Sequence, residues 1–516
     1  MAKGVVVVKK SISLLLMFTF VLTIFIGCGK DPTPEGSMPL NEKLDDTPES
    51  YAGTKIVLSD TTITVDDAAI SHDVTEAVYA ANDIVYYESG KDFTYGEGEE
   101  KDAHTKAEAD AHMVVHITKA GQYVLSGTLS KGQIAVDLGE DAEDDPNAVV
   151  TLVLDGVDIT CSVAPAVIFY SVYECGDKDE STASKDVDTA AAGARVILAN
   201  NSKNQVAGSY VARIYKPGTV ELNDAGTEVA DAKKLHKYDG AFYSKMSMTI
   251  QGGKNGNGNG ALLIEAANEG LDSELHLTIN GGIIQIKSGN DGINTNEDNI
   301  SVTTINGGVL SIVVTGATGE GDGIDSNGWL VINGGTVVAQ ACGFSGDAGI
   351  DSDKGIHING GTVVASGNML DRIEDGGQTH AVFTMGQSRK SSFIQLKNPT
   401  GDTIVSQSIA NNYSILVMSS PRMTAGEYTL WDGDSQLQGS RGQSGGMRPG
   451  GMHSGMTPPD QENGQPPQRP DGEEPPQGKP SGTPPQRPGT NNQLSGNGEV
   501  SSVFAITDGA NYFQVV

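Results

Sequence analysis

The phrase Ile-Asn-Gly-Gly occurs at residues 279–282, 305–308, 332–335 and 358–361, with its asparagines 26, 27 and 26 residues apart. A looser copy, Ile250-Gln251-Gly252-Gly253, stands 29 residues earlier. A second phrase precedes each copy: Glu269-Gly270-Leu271-Asp272, Asp291-Gly292-Ile293-Asn294, Asp322-Gly323-Ile324-Asp325 and Gly349-Ile350-Asp351. A fixed period of this length means units that bury a face only against neighbouring copies of themselves.

Residue types decide the kind of unit. Short runs such as Ile283-Ile284-Gln285-Ile286 and Thr336-Val337-Val338-Ala339 follow each Asn-Gly-Gly. They are β-branched, alternating and bounded by Gly and Asn, so they read as strands. Three short strands and three turns fill a coil of about 26 residues, and stacked coils form parallel sheets at roughly 4.8 Å spacing. The expected fold is all-β, a parallel β-helix (a solenoid) over residues 55–378 with irregular first coils. A small β cap over 379–437 follows it. A propeller blade needs about 40–50 residues and its own signature, so it fits worse.

Stacking turns each repeated position into a column. Asn280, Asn306, Asn333 and Asn359 should form an amide ladder at one corner, with positive-φ glycines turning the chain. Asp272, Asn294, Asp325 and Asp351 share a second column, and Glu269, Asp291 and Asp322 a third; there the last coil has Ala348, with Asp347 one residue earlier. Glu274, Asn296, Asn327 and Asp353 lie two residues beyond the second column. Carboxylates one rung apart repel by about 3 kcal/mol at an effective dielectric near 20. Hard oxygen ligands on rigid turns suit Ca²⁺ better than zinc. The expected metal ligands are Glu269, Asp272, Asp291, Asn294, Asp322, Asp325, Asp347, Asp351 and Asp353. A solvated acidic edge whose side chains splay apart is the alternative.

The flanking segments are of other kinds. Residues 1–27 read as an export signal: Lys3, Lys9 and Lys10 precede an apolar run that ends in Phe25-Ile26-Gly27-Cys28. That ending resembles a bacterial lipoprotein box, which implies lipidation at Cys28 and a protein anchored at the cell surface. Residues 28–54 are polar, with Pro and Gly, and read as a tether. The polar insertions 95–111 and 176–193 have few large apolar residues and read as mobile loops. Of the remaining cysteines, Cys161 and Cys175 are the closer pair for a disulfide. Residues 438–498 are rich in Gly, Pro, Gln and Ser and cannot bury a core. Residues 499–516 are strand-like again and are expected to return to the cap, which makes that segment a long loop.

Tyr238-Asp239-Gly240-Ala241-Phe242-Tyr243-Ser244-Lys245, followed by Met248-Thr249-Ile250, resembles the opening phrase of a bacterial family of carbohydrate-binding proteins. Leu152-Val153-Leu154-Asp155-Gly156-Val157-Asp158-Ile159, the Asp-Gly-Ile coils and Ala425-Gly426-Glu427-Tyr428-Thr429-Leu430 fit the same family. The resemblance spans residues 56–432. It implies an extracellular, often lipid-anchored protein with a right-handed parallel β-helix like that of polysaccharide lyases. It also implies Ca²⁺ on the helix and binding of plant cell-wall polysaccharide, acidic pectic chains or cellulose, by a monomer without catalysis.

Two other readings stand beside it. A calcium-dependent pectate-type lyase needs a base, for which Lys245, Lys287, Lys354 and Arg372 are the cations within the coils. An adhesin would use the coil only as a rigid spacer. For sugar recognition, Trp329 is the aromatic platform expected to face outward, and Lys245 is the other expected sugar contact. A formal charge of −32 argues against nucleic acid and makes bridging cations the natural partner of an acidic polysaccharide.

Overall fold

The computed structural model describes residues 44–442 and 499–516. The expected leader at 1–27, Cys28 and nearly all of the 438–498 segment lie outside the described residues. The described chain is all-β, with one four-residue α-helix, Lys106–Ala109, capped by Thr105 and Glu108.

The repeats contribute strands to three parallel stacks, the last repeat to the first two only. The first stack is Met248–Gly252, His276–Ile279, Val302–Ile305, Trp329–Ile332 and Gly355–Ile358, each pairing with the next in register. After the Asn-Gly-Gly corner come Ala261–Ala266, Ile283–Ser288, Val309–Val314, Thr336–Gln340 and Thr362–Gly367, also parallel and in register. The third stack, within an eight-stranded sheet, is Gly240–Ser244, Glu269–Ser273, Ile293–Thr295 and Ile324–Ser326. Every stack sends one apolar column inward: Ile279, Ile305, Ile332 and Ile358; Ile284, Leu310, Val337 and Val363; Leu271, Ile293 and Ile324. Burying each such side chain contributes roughly 1.5–3 kcal/mol.

The corner after the first stack holds the amide ladder that the period predicts. Asn306, Asn333 and Asn359 each donate Nδ2–H to Oδ1 of the asparagine one repeat earlier, at 2.8, 2.9 and 2.8 Å. The second glycine of each phrase has positive φ, +79° at Gly335 and Gly361, a turn that a side chain would strain.

Earlier strands extend the same stacks irregularly. Val150–Cys161 bends at Gly156, and its two halves pair with Ala194–Leu198 and Lys203–Gly208. The last coil is closed by an antiparallel strand, Tyr413–Ser419, laid on Thr362–Gly367. A second core gathers there around Phe383, Tyr413, Phe504 and Phe513. The C-terminal strand Ala510–Val515 pairs with His380–Arg389, so the end of the chain does return to the cap.

Three expectations need correction. The tether does not run free to residue 54. Asp45 pairs with Gly258 and Asn257, Asn200 donates to the Thr47 carbonyl, and Lys254 Nζ donates to the Ser50 carbonyl at 2.7 Å. Polar corner loops supply backbone partners that an extended polar segment can use. The insertions 95–111 and 176–193 are mostly exposed, as expected of loops, but polar partners pin each at a few buried points such as Asp102 and Thr189. Tyr210 donates to Asp102 at 2.5 Å. Thr189 donates to Thr278 at 2.7 Å and Glu174 accepts from the Ser247 amide at 2.8 Å, so hydroxyl and carboxylate pairing replaces apolar burial. Finally, Cys161, Cys175 and Cys342 are all free thiols. The five-residue strand Val167–Ser171 carries the chain into the other sheet between Cys161 and Cys175.

Replacing Asn333 with Ala removes two ladder bonds, whereas Asn280→Ala removes one. The expected losses are about 1–2 and about 0.5–1 kcal/mol respectively, read from urea unfolding midpoints.

Candidate functional site

The acidic phrase lies where the second stack turns into the third. Its glycine packs against the second stack: a Cβ on Gly270 would lie 2.3 Å from Ile286 Cγ2, and one on Gly292 would lie 2.2 Å from Ile312 Cγ2. Backbone bonds from Gly270, Gly292 and Gly323 to the carbonyls of Asp291, Asp322 and Ala348, all 3.0 Å, hold successive copies in phase. The next residue, Leu271, Ile293 or Ile324, is buried inside, so the one after it is turned outward. Strand pairing then aligns Tyr243, Asp272, Asn294 and Asp325 in one column.

The acids in these columns do different things. Asp291 Oδ1 accepts from the Asp322 amide at 2.6 Å, and Asp322 Oδ1 accepts from the Ala348 amide at 2.5 Å. Asp347 Oδ2 accepts from the Gly321 amide at 2.6 Å. Each spends an oxygen tying one coil to its neighbour. Asp351 Oδ1 accepts from the Ser352 amide, and Asp371 accepts from the same group. Asp325 is half-buried, and the Asp353 amide donates to the Ser326 carbonyl.

The N-terminal end of the row differs. Asn294 Nδ2 donates to Glu269 Oε1 at 3.2 Å and Asn296 Nδ2 donates to Asp272 Oδ1 at 2.7 Å. The other oxygens, Glu269 Oε2 and Asp272 Oδ2, are buried without a hydrogen-bond partner, as is Asn294 Oδ1. Glu269 is 2% and Asp272 0% exposed. Unpaired buried acceptors of this kind are costly, and oxygens of these types are the ligands a hard cation takes. Among the described residues, no three His, Cys, Asp or Glu side chains form a metal cage by themselves; the trio here is two carboxylates and an amide. Ca²⁺ takes about 6–8 oxygens, so these three would leave room for water, carbonyls or a ligand.

Around the trio stand groups that the repeat did not reveal. Asp239 is buried and ion-paired with Lys237. Tyr243 Oη donates to Glu274 Oε1 at 2.5 Å, and Tyr238 packs edge-on against both Tyr170 and Tyr243. Asp239-Gly240 is an early copy of the acidic phrase with one extra residue, since Gly240 pairs with Glu269 and Tyr243 with Asp272. That alignment was the available signal for Asp239 and, two residues before it, Lys237.

Electrostatics follow from burial. Desolvation first, then Asp239, pushes Glu269 up to about 8. Desolvation, then Asp371 and Asp325, pushes Asp351 up to about 8. Asp272, Asp291 and Asp322 are raised well above the usual carboxylate range, chiefly by burial and then by neighbouring acids. Burial works against the Lys237 ammonium, but Asp239, Glu269 and Asp272 outweigh it and hold the proton on.

The two expected sugar contacts are not gathered at this row. Lys245 is exposed on the turn after Gly240–Ser244, with its amide bonded to the Phe169 carbonyl. Trp329 is half-buried and opens a strand of the first stack, around the corner from Asp325.

An acid whose folded pKa lies above its unfolded value holds extra protons when folded, so stability falls as pH rises between the two. For Glu269 that window runs from 4.5 to about 8. With chelator present, the melting temperature should fall steadily across this window. A flat profile in a thermal-melt series would contradict the burial of these acids.

Residues 111–392 match the family described as "Carbohydrate-binding domain-containing protein". A protein of that same description from Acetivibrio thermocellus is 30% identical over 175 residues; the match spans 34% of this chain and 45% of that relative. Thus the matching region covers less than half of the relative's length. A solved structure titled as a polysaccharide lyase-like protein from C. thermocellum, a gadolinium derivative, aligns with 60% of this chain and 93% of its own, at 20% identity and a TM-score of 0.31.

Proposed function

Because the chain belongs to the family of carbohydrate-binding domain-containing proteins, whose match covers more than half of its 516 residues, we propose that it is a cell-surface lipoprotein that binds acidic plant cell-wall polysaccharide through bound calcium. The fold that goes with this reading is a right-handed parallel β-helix, supported by the parallel, in-register pairing of each repeat on the next. One observation carries the reading: the orphaned oxygens of Glu269, Asp272 and Asn294, buried at one end of an acidic row.

Those three residues would hold the cation, and Asp291, Asp322, Asp325, Asp347, Asp351 and Asp353 continue the acidic row along the coils. A bound Ca²⁺ supplies positive charge that carboxylates of protein and polysaccharide can share. The chain's own residues do the rest. Asn294 and Asn296 fix the rotamers of Glu269 and Asp272 by donating to one oxygen of each. Lys237 adds a permanent positive charge at the mouth of the row, suited to a uronate. Sugar carboxylates would otherwise be repelled by a chain of formal charge −32.

Lys237 also favours a second reading, a calcium-dependent lyase, since it places a basic residue beside the acids. Its ion pair with Asp239 keeps the amine engaged, which weighs toward binding without chemistry.

Cosedimentation of the full chain with insoluble polygalacturonate and with cellulose tests both readings. Binding that chelator abolishes, with flat ultraviolet absorbance in the supernatant, is the expected outcome; rising absorbance means elimination. The paired substitution Glu269→Gln and Asp272→Asn should weaken calcium-dependent binding at least about tenfold, because two charged ligands are lost together. Cys28→Ser should release the protein from the membrane fraction, as expected if the lipid on that residue is the anchor.

A further inference from the structure

We propose that Phe344 is a stacking platform for one pyranose ring of the bound polysaccharide, at the end of the acidic row opposite Lys237. The proposal rests on the carbohydrate-binding reading and names a contact that neither the repeat nor the expected site contained. Phe344 is 68% exposed, and Phe93 is the other exposed aromatic among the described residues. A flat ring held in the open offers a large apolar area of fixed geometry to a partner.

The loop that carries Phe344 is built to hold it still. Cys342, immediately upstream within the hydrophobic core, is fully buried, and its amide donates to the Gly321 carbonyl at 2.9 Å. Asn411 Nδ2 donates to the Ala341 carbonyl at 2.7 Å, and Asn368 Nδ2 donates to the Ser345 carbonyl at 2.9 Å. The edge of the ring rests on Gly316, at φ +67°, where an added Cβ would lie 2.6 Å from Phe344 Cζ. The ring is therefore propped by backbone on one edge while most of its surface faces water.

Its place ties it to the row. Ser345, the next residue, hydrogen-bonds Asp347, and the Asp347 carbonyl accepts from the amides of Asn368 and Met369. Met369 is itself 41% exposed, so apolar side chains from two loops flank the Asp347 segment. The apolar C–H face of a pyranose matches a flat exposed ring, while its hydroxyl and carboxylate groups suit the polar row beside it. A sugar ring is the occupant that uses both surfaces at once.

The test titrates the full chain and its variants with insoluble polygalacturonate and with cellulose, in saturating Ca²⁺. Phe344→Ala should bind about tenfold more weakly, as truncation of an aromatic anchor does. Phe344→Tyr should retain affinity, and Phe344→Leu should behave like alanine because it keeps apolar area but lacks a flat face. Phe93→Ala should change nothing, and thermal melts of all variants should coincide. If the parent chain binds and Phe344→Ala binds equally, the platform is disproved while the binding reading stands. Parent-chain binding to neither polymer removes both. Self-association of the parent chain that Phe344→Ala abolishes, with binding unchanged, would assign the ring to a contact between copies and overturn the proposal.

Discussion

Backbone pairing between one repeat and the next, in register on three stacks, is the constraint on which the rest of this structure depends. Ile279 pairs with Ile305 and Ile305 with Ile332, and Asp272 pairs with Asn294 and Asn294 with Asp325, so strand positions stay aligned although the loops between them differ in length. A side chain cannot choose its neighbour; it meets its own counterpart one rung away. Where the counterpart is an aliphatic group, the result is a continuous core. Where it is asparagine, one amide donates and the next accepts, and the ladder at Asn280, Asn306, Asn333 and Asn359 follows.

The same register forces carboxylate onto carboxylate, and the chain relieves this in several ways. Asn294 stands between Asp272 and Asp325 in their column, so two charges are separated by a neutral amide that can donate. Asp291 and Asp322 turn an oxygen to the backbone N–H of the following coil, which makes those acids part of the stacking itself. Ala348 breaks the other column at the last coil. Only at the row's beginning do carboxylate oxygens remain buried without donors, beside Lys237. An oxygen that the fold leaves without a donor is an acceptor open to a ligand, and that is why the candidate site narrows to Glu269, Asp272 and Asn294 instead of extending evenly along every coil.

A rigid stack also suits the proposed ligand. A polysaccharide is itself a linear repeat, and parallel coils offer it polar groups spaced at regular intervals without any ordering of the protein on binding. Loops between the second and third stacks add the variation that a strict repeat lacks, and Phe344 lies on one of them. The insertion 176–193 supplies Thr189, bonded to Thr278, on the outer face of the first stack, so that face is partly covered.

The sequence alone determined the period, the strands, the inward columns and the asparagine ladder, because all of these depend on residue type and spacing within a repeat. A register of 26 or 27 residues is local information copied several times, and each copy reinforces the reading. Tertiary structure decided the rest. Lys237 and Asp239 join the acids because a strand outside the obvious repeat aligns with an offset of one residue. Residues 44–54, 95–111 and 176–193 are pinned by polar partners more than fifty residues away in several cases, which no hydrophobic pattern announces. Cys161 and Cys175 are close in sequence but separated by a strand that crosses between sheets. Which acid keeps an unpartnered oxygen is likewise a tertiary matter: it depends on whether a neighbouring coil presents an N–H within hydrogen-bond reach, and position in the repeat does not reveal that.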